Sequence, residues 1–297
     1  MSRDGSSQSK LFWNIHGFFK RCLTQQVTVR TYLLDGFRDI YDRCPSVRGG
    51  ILDIIFPHFE MYYESNESFL CPLNLETAVS STTCSIVEYL PVLISTLLYC
   101  ITDDNDENVQ TTYTSYKSIV KTINTMKNRL VLCELEDMEF QSSSTFDKNT
   151  SEGRRNGIKS TLMLGIFEAF MHSEVLANNV TQVMMWFQKY TTLKNLVSSK
   201  SSSSSGGKKK QGGGGGSVMS DEMSTLPASN EVDKLYLTYP MITTSSLLPM
   251  LNGLYGNSPW SAVEQCVNAF AAFVLNQCMQ FLDNKQVSPY TYCKNAE

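Results

Sequence analysis

LFWNIHGFFKRCLTQQVTVRTYLLDGFRDIYDR, residues 11–43, decides the fold. It reads as two consecutive amphipathic helices parted by the polar step Gln25-Gln26. Leu11, Ile15, Phe18, Phe19, Cys22 and Leu23 recur at three- and four-residue spacing, which gathers them on one helical face. Val29, Tyr32, Leu33, Phe37, Ile40 and Tyr41 do the same in the second helix, with Arg30, Asp35, Arg38 and Asp42 mostly left to water. Neither helix buries its stripe alone, so each demands a neighbour. The pattern predicts an all-α protein of amphipathic helix pairs, arranged as an irregular bundle or an α-α superhelix.

The rest of the chain extends that reading. Val47 to Tyr63 is a third helix, with Pro57 expected to bend it. Ser65 to Thr83 is mostly polar and reads as a connection. Cys84 to Ile101 is apolar nearly all round, as in a helix covered on several sides. The acidic run 102–108 is a loop, and Thr111 to Phe140 a long helix whose stripe is Ile119, Ile123, Met126, Leu130 and Cys133. Ile158–His172 and Val175–Val197 form another pair, the second carrying Val183, Met184, Trp186, Phe187 and Leu193. SSKSSSSSGGKKKQGGGGGS opens a segment too polar to offset its ordering entropy. Helical patterning resumes over Val232–Tyr255, broken by Pro240 and Pro249, and over Trp260–Leu282, started by Ser258-Pro259. The expected organisation is a flexible head (1–10), a helical domain (11–197), a disordered linker (198–231), further helices of the same domain (232–284) and a tail (285–297).

Of the 297 residues, 42% are hydrophobic and 11% aromatic, enough for a large core. A net charge of −4 gives no global case for nucleic-acid binding, although local patches still can. Nine cysteines occur without a CxxC, mostly within apolar helical stripes, as buried thiols of a reducing compartment would. No secretory leader is read in MSRDGSSQSK, and Tyr89–Ile101 is shorter than the roughly 20 residues of a membrane span. A soluble, intracellular protein with no membrane partner is expected.

Catalytic signatures are missing. His16, His58 and His172 lie within helical segments at no metal-ligand spacing. No phosphate-binding loop, nucleophile elbow or HExxH occurs. Glu134, Glu136, Asp137 and Glu139 fit a solvated helix end better than a metal site. Lys208–Lys210 reads as a solubilising cluster in a tether, with a nuclear-localisation patch as the other reading. No enzyme activity, cofactor, metal or small-molecule substrate is expected. Two basic groups remain. Lys20 and Arg21 end the first helix close in sequence to Arg30, and Arg154, Arg155 and Lys159 open a later one, where the helix dipole also favours an anion. Phosphates of duplex or branched DNA are natural partners for both, without base readout. Charge balance with neighbouring Asp and Glu is the other reading for each of them.

Ser7-Gln8 has the Ser-Gln form preferred by DNA-damage checkpoint kinases, although Thr24-Gln25 and Thr181-Gln182 also fit that form. Particular residues say more. RCLTQQVTVRTYLLDGFRDIYDR (21–43), ELEDMEF (134–140), GIKSTLMLGIFEAFMHS (157–173) and FQKYTTLKNLV (187–197) resemble, in order and spacing, segments of the Fanconi anaemia group I protein family. TSSLLPML (244–251) matches more loosely. The resemblance covers the family's second helical domain, set between two α-solenoid blocks of a longer protein. It implies a nuclear, non-enzymatic scaffold of DNA interstrand-crosslink repair. The family's protein pairs with the Fanconi group D (type two) paralogue, clamps DNA and is regulated by monoubiquitination and phosphorylation. The family's modified lysine lies upstream of this region, so no lysine here inherits that role. Ser7 stands where the family has its Ser-Gln cluster, and a phosphate there would add roughly −1.5 to −2 charge beside the basic helix end, biasing clamp closure. The other class of reading is a helical-repeat interaction module with no nucleic-acid role.

Overall fold

The computed structural model describes residues 4–102, 116–203, 240–256, 260 and 266–285. Ten α-helices account for most of the described residues: α1 (Asp4–Cys22), α2 (Val27–Arg43), α3 (Arg48–Glu60), α4 (Leu75–Ala78), α5 (Leu90–Thr102), α6 (Tyr116–Leu132), α7 (Ser151–Leu176), α8 (Val180–Ser203), α9 (Thr244–Tyr255) and α10 (Val267–Lys285). Short 3-10 turns follow α2 and α6, and two isolated antiparallel bridges, Tyr63 with Leu73 and Val79 with Ile86, pin the connection between α3 and α5. The fold is all-α, as the sequence predicts. Among the described residues no helix is long and apolar enough to cross a membrane.

The described helices pack as an irregular bundle. α5 is its axis. Leu90, Leu93, Ile94, Leu97 and Cys100 are wholly buried and Val92 nearly so, because α5 packs on α2, α3 and α7 at once. Each such side chain contributes about 1.5–3 kcal/mol by leaving water. α7 and α8 form the largest pair, and α9 with α10 packs onto it through α7. A Cβ on Gly165 of α7 would lie 2.7 Å from the Pro91 ring of α5. Only hydrogen fits that crossing. Gly165→Ala is therefore expected to cost about 1–3 kcal/mol through overpacking, in spite of alanine's better helix propensity, as a lowered urea midpoint would show.

Several boundaries differ from the sequence reading. α5 starts at Leu90, not at Cys84, because Cys84 takes a left-handed φ of 48° and Val79 bridges Ile86; Pro91 then falls in the first turn, where its missing N–H costs nothing. α6 stops at Leu132, and 134–140 turns back through Glu139 at φ 67°. α7 begins seven residues before Ile158, at Ser151, where the Thr150 hydroxyl accepts from Gly153 N–H at 3.0 Å. It ends at Leu176, followed by Asn178 at φ 54°, a conformation asparagine tolerates. α1 already includes residues 4–10. The acidic run 103–108, Lys208–Lys210, most of the expected linker, 232–239, Ser258-Pro259 and the tail lie outside the described residues.

The stripes of the opening pair are rotated from expectation. In α1 Phe12 is buried, with Phe19 partly buried, and Leu23 just past its end is buried too, whereas Leu11 and Phe18 are more than half exposed. In α2, Val27, Arg30, Thr31, Leu34, Phe37 and Tyr41 face inward and Tyr32 is 67% exposed. The rotation has a cause: Arg30 has a carboxylate waiting inside.

Candidate functional site

The charge chemistry of the domain concentrates where α1 meets α2 and where α7 begins. The side chains of Thr24 and Gln25 both donate to the Arg21 carbonyl, closing the C-terminus of α1. Lys20 and Arg21, in its last turn, are exposed. Arg30, one turn into α2, points inward: Nε meets Glu88 Oε2 at 2.7 Å, and its two other nitrogens donate to the carbonyls of Gln25 and Val87. Glu88, fully buried, also holds His58 Nε2 at 2.7 Å and accepts from Tyr89 N–H. Burial first, and then the Glu88 charge, pushes the neighbouring Tyr62 hydroxyl up to about 12.

A second buried cluster lies at the start of α7. Lys159 is 3% exposed, and its ammonium is shared between Glu76 of α4 and Glu139. Arg155 pairs with the other oxygen of Glu76. Arg154 alone of this group is exposed, with a long 3.5 Å contact to Ser151 Oγ.

The structure therefore divides the six basic residues singled out from the sequence. Arg30 and Lys159 are structural counter-ions, because burying a charge requires a partner. Arg155 is committed to Glu76. Lys20, Arg21 and Arg154 stay open to solvent. The segment 84–88 links the two groups: Val87 receives Arg30, and the Cys84 thiol reaches the Ser151 carbonyl at 3.5 Å. Three residues span at most roughly 10 Å, so the start of α7 lies near the Arg30 contact.

Ser7 lies in the first turns of α1. Thirteen residues separate it from Lys20, about 20 Å along the axis at 1.5 Å per residue. That exceeds the Debye length of about 8 Å at physiological salt, so a phosphate on Ser7 does not stand beside the basic end of its own helix.

Sequence reasoning missed Glu76 and Glu88, and read Glu139 only as part of a solvated helix end, whereas it pairs with Lys159. Glu88 had a signal: a lone carboxylate in the apolar run CSIVEYLPVL demands an internal cation. Burial lowers His172, whose Nδ1 is 3.0 Å from Ser246 Oγ, to about 4. The Cys133 thiol donates to Cys71 and holds it below its ordinary value, and burial pushes Cys100 up to about 12. Among the described residues no group of three His, Cys, Asp or Glu is placed to hold a metal ion.

Comparison with known proteins adds an independent finding. The family model described as FANCI helical domain 2 matches residues 1–202. A Fanconi anemia group I protein homolog of Mus musculus is 26% identical over 200 residues, which cover 61% of this chain and 15% of that protein. The Fanconi anemia group I protein of Gallus gallus is 24% identical over 203 residues, covering 63% of this chain and 15% of the relative. The match spans about one seventh of these relatives.

Proposed function

Because the chain belongs to the FANCI helical domain 2 family, we propose that it is a non-enzymatic scaffold domain of DNA interstrand-crosslink repair in the nucleus. It contributes to a DNA-binding heterodimer with the Fanconi group D (type two) paralogue, in a pathway regulated by monoubiquitination and phosphorylation. The observation that supports the DNA contact is exposure: Lys20, Arg21 and Arg154 face solvent, while carboxylates neutralise Arg30, Arg155 and Lys159. Such side chains contact phosphates without reading bases. Ser7-Gln8 is the proposed site for a checkpoint kinase, and a phosphate there is favoured by the N-terminal dipole of α1.

The test is binding of the chain, alone and with the paralogue, to duplex and branched DNA across a salt series. Affinity is expected to fall linearly on a log–log salt plot. Lys20→Glu, Arg21→Glu and Arg154→Glu together should weaken binding and make the slope shallower by about 0.9 for each phosphate no longer neutralised. An unchanged slope would remove these side chains from the interface. Arg155→Glu is a poor probe, since it also breaks the ion pair with Glu76.

A second reading, a protein-interaction module without a nucleic-acid role, draws on the apolar side chains that α1 and α2 leave outside. Trp13 is 50% exposed, Phe18 56%, Leu11 61% and Tyr32 67%. Paralogue binding that ignores salt and DNA, and is abolished by Phe18→Ser, would favour it.

A further inference from the structure

A cavity of about 330 Å³ opens where α2, α5 and α7 meet, near the lower end of the roughly 300–1,000 Å³ typical of small-ligand sites. Its charged groups are Arg38 and Asp42 of α2, with Tyr99 of α5 and His172 of α7 beside them. Arg38 is the unusual one. Its Nε donates to Thr96 Oγ1 at 3.2 Å and its Nη2 to Ser95 Oγ at 2.5 Å. Both partners are neutral. Among the described residues no ion pair to Arg38 is found, although the Asp35 charge acts on it and the Tyr99 ring centroid lies 5.9 Å from its guanidinium carbon. Arg30, Arg155 and Lys159 each rest on a glutamate; Arg38 does not. Asp42, one turn further on, accepts from the Tyr99 hydroxyl at 2.5 Å. Burial lowers the Arg38 pKa, and the Asp35 carboxylate on the same helix opposes that shift only in part.

His172 completes the wall. Ser246 Oγ donates to the Thr243 carbonyl at 3.0 Å, so it accepts from His172 Nδ1–H, which leaves Nε2 unprotonated. Burial and the Arg38 charge keep this ring neutral at pH 7.

We propose that this cavity binds a small monoanionic carboxylate, with its head group on the Arg38 guanidinium and its apolar body against Leu98 and Leu176. A planar carboxylate matches the guanidinium fork and supplies the direct ion pair that Thr96 and Ser95 do not. The Asp42 charge opposes a dianion, which selects carboxylate over phosphate. The ring of His172 is the built-in reporter, since a carboxylate arriving beside it changes its field.

Benzoate is a suitable probe, because an aromatic body fits the cavity volume. The chain has three histidines, so their ring resonances can be followed individually by NMR while benzoate is added at constant ionic strength. The expected result is a saturable shift of His172, with His16 and His58 still. Benzamide, the uncharged isostere, and sulfate, the dianion, should give none. Arg38→Gln should weaken benzoate about tenfold or more, the scale of a charge-assisted hydrogen bond. Ser173→Trp, which fills the cavity and leaves Arg38 in place, should abolish the shift in a chain whose circular dichroism is unchanged. No saturable shift, an equal shift with benzamide or sulfate, or a shift that survives in folded Ser173→Trp would each overturn the proposal.

Discussion

Replacing Glu88 by alanine is expected to destabilise the domain more than any other single change to its charged residues. The carboxylate is fully buried and serves Arg30 and His58 together. Its removal leaves the Arg30 guanidinium inside the protein with only backbone carbonyls for company. Breaking a buried pair from one side costs about 3–5 kcal/mol, which corresponds to a fall of roughly 6–20 °C in Tm for a domain of this size. Calorimetry of Glu88→Ala, Arg30→Met and the double variant measures the coupling directly. The double variant should lose less than the sum of the two single ones, since it strands no charge. A Glu88→Ala variant that melts within a degree of the parent would mean that Arg30 finds another partner or leaves the interior.

Trp186→Ala carries the second large effect, and its contrast with Trp186→Phe is the sharper test. Trp186 is wholly buried in α8, with its ring centroid 4.5 Å from that of Phe170 and their planes 14° apart, and a second ring, Phe167, at 6.0 Å. Truncation opens a cavity at the α7–α8 seam and should cost about 3–5 kcal/mol. Its Nε1–H is buried without an acceptor. Phenylalanine keeps most of the packing and removes that unpaired donor, whose burial costs about 1–3 kcal/mol. Trp186→Phe should thus fall within about 1.5 kcal/mol of the parent. Urea midpoints of the two variants decide it: equal destabilisation would show that indole volume dominates and that the bare N–H costs little.

The same contrast between apolar packing and buried polarity explains what the sequence reveals. Periodicity of 3.6 found the faces of α6 and α8 without error, because Ile119, Ile123, Met126 and Leu130, and Val183, Met184, Trp186, Phe187 and Leu193, are all buried by virtue of being apolar. It misplaced the faces of α1 and α2, where the hydropathy pattern left Arg30 to water and the fold puts it inside. Helix ends were the other failure. Glu139 and Asn178 adopt left-handed conformations, and nothing in an apolar stripe records where the chain will take one. The candidate site was half legible: basic clusters can be seen in sequence, but not which members are neutralised. Glu76 lies far along the chain from Arg155 and Lys159, and only folding makes them neighbours. Family residues told more than pattern did, and the match over residues 1–202 bears that out.

The central position of α5 has a consequence for how this chain reaches its native state. In a solenoid each unit rests on the one before it, so order propagates along the sequence and can stop anywhere. Here the helix that everything else is packed around meets partners far away in the chain: Arg38 on α2 joins Thr96 across 58 residues, and α7 closes from the other side. Long loops must be closed, at a cost in entropy, before the most apolar helix gains any cover. Until then α5 is a bare greasy rod. The domain therefore has no half-built form in which that surface is shielded, and the burden of keeping it from sticking to its neighbours falls on the speed with which both sides arrive.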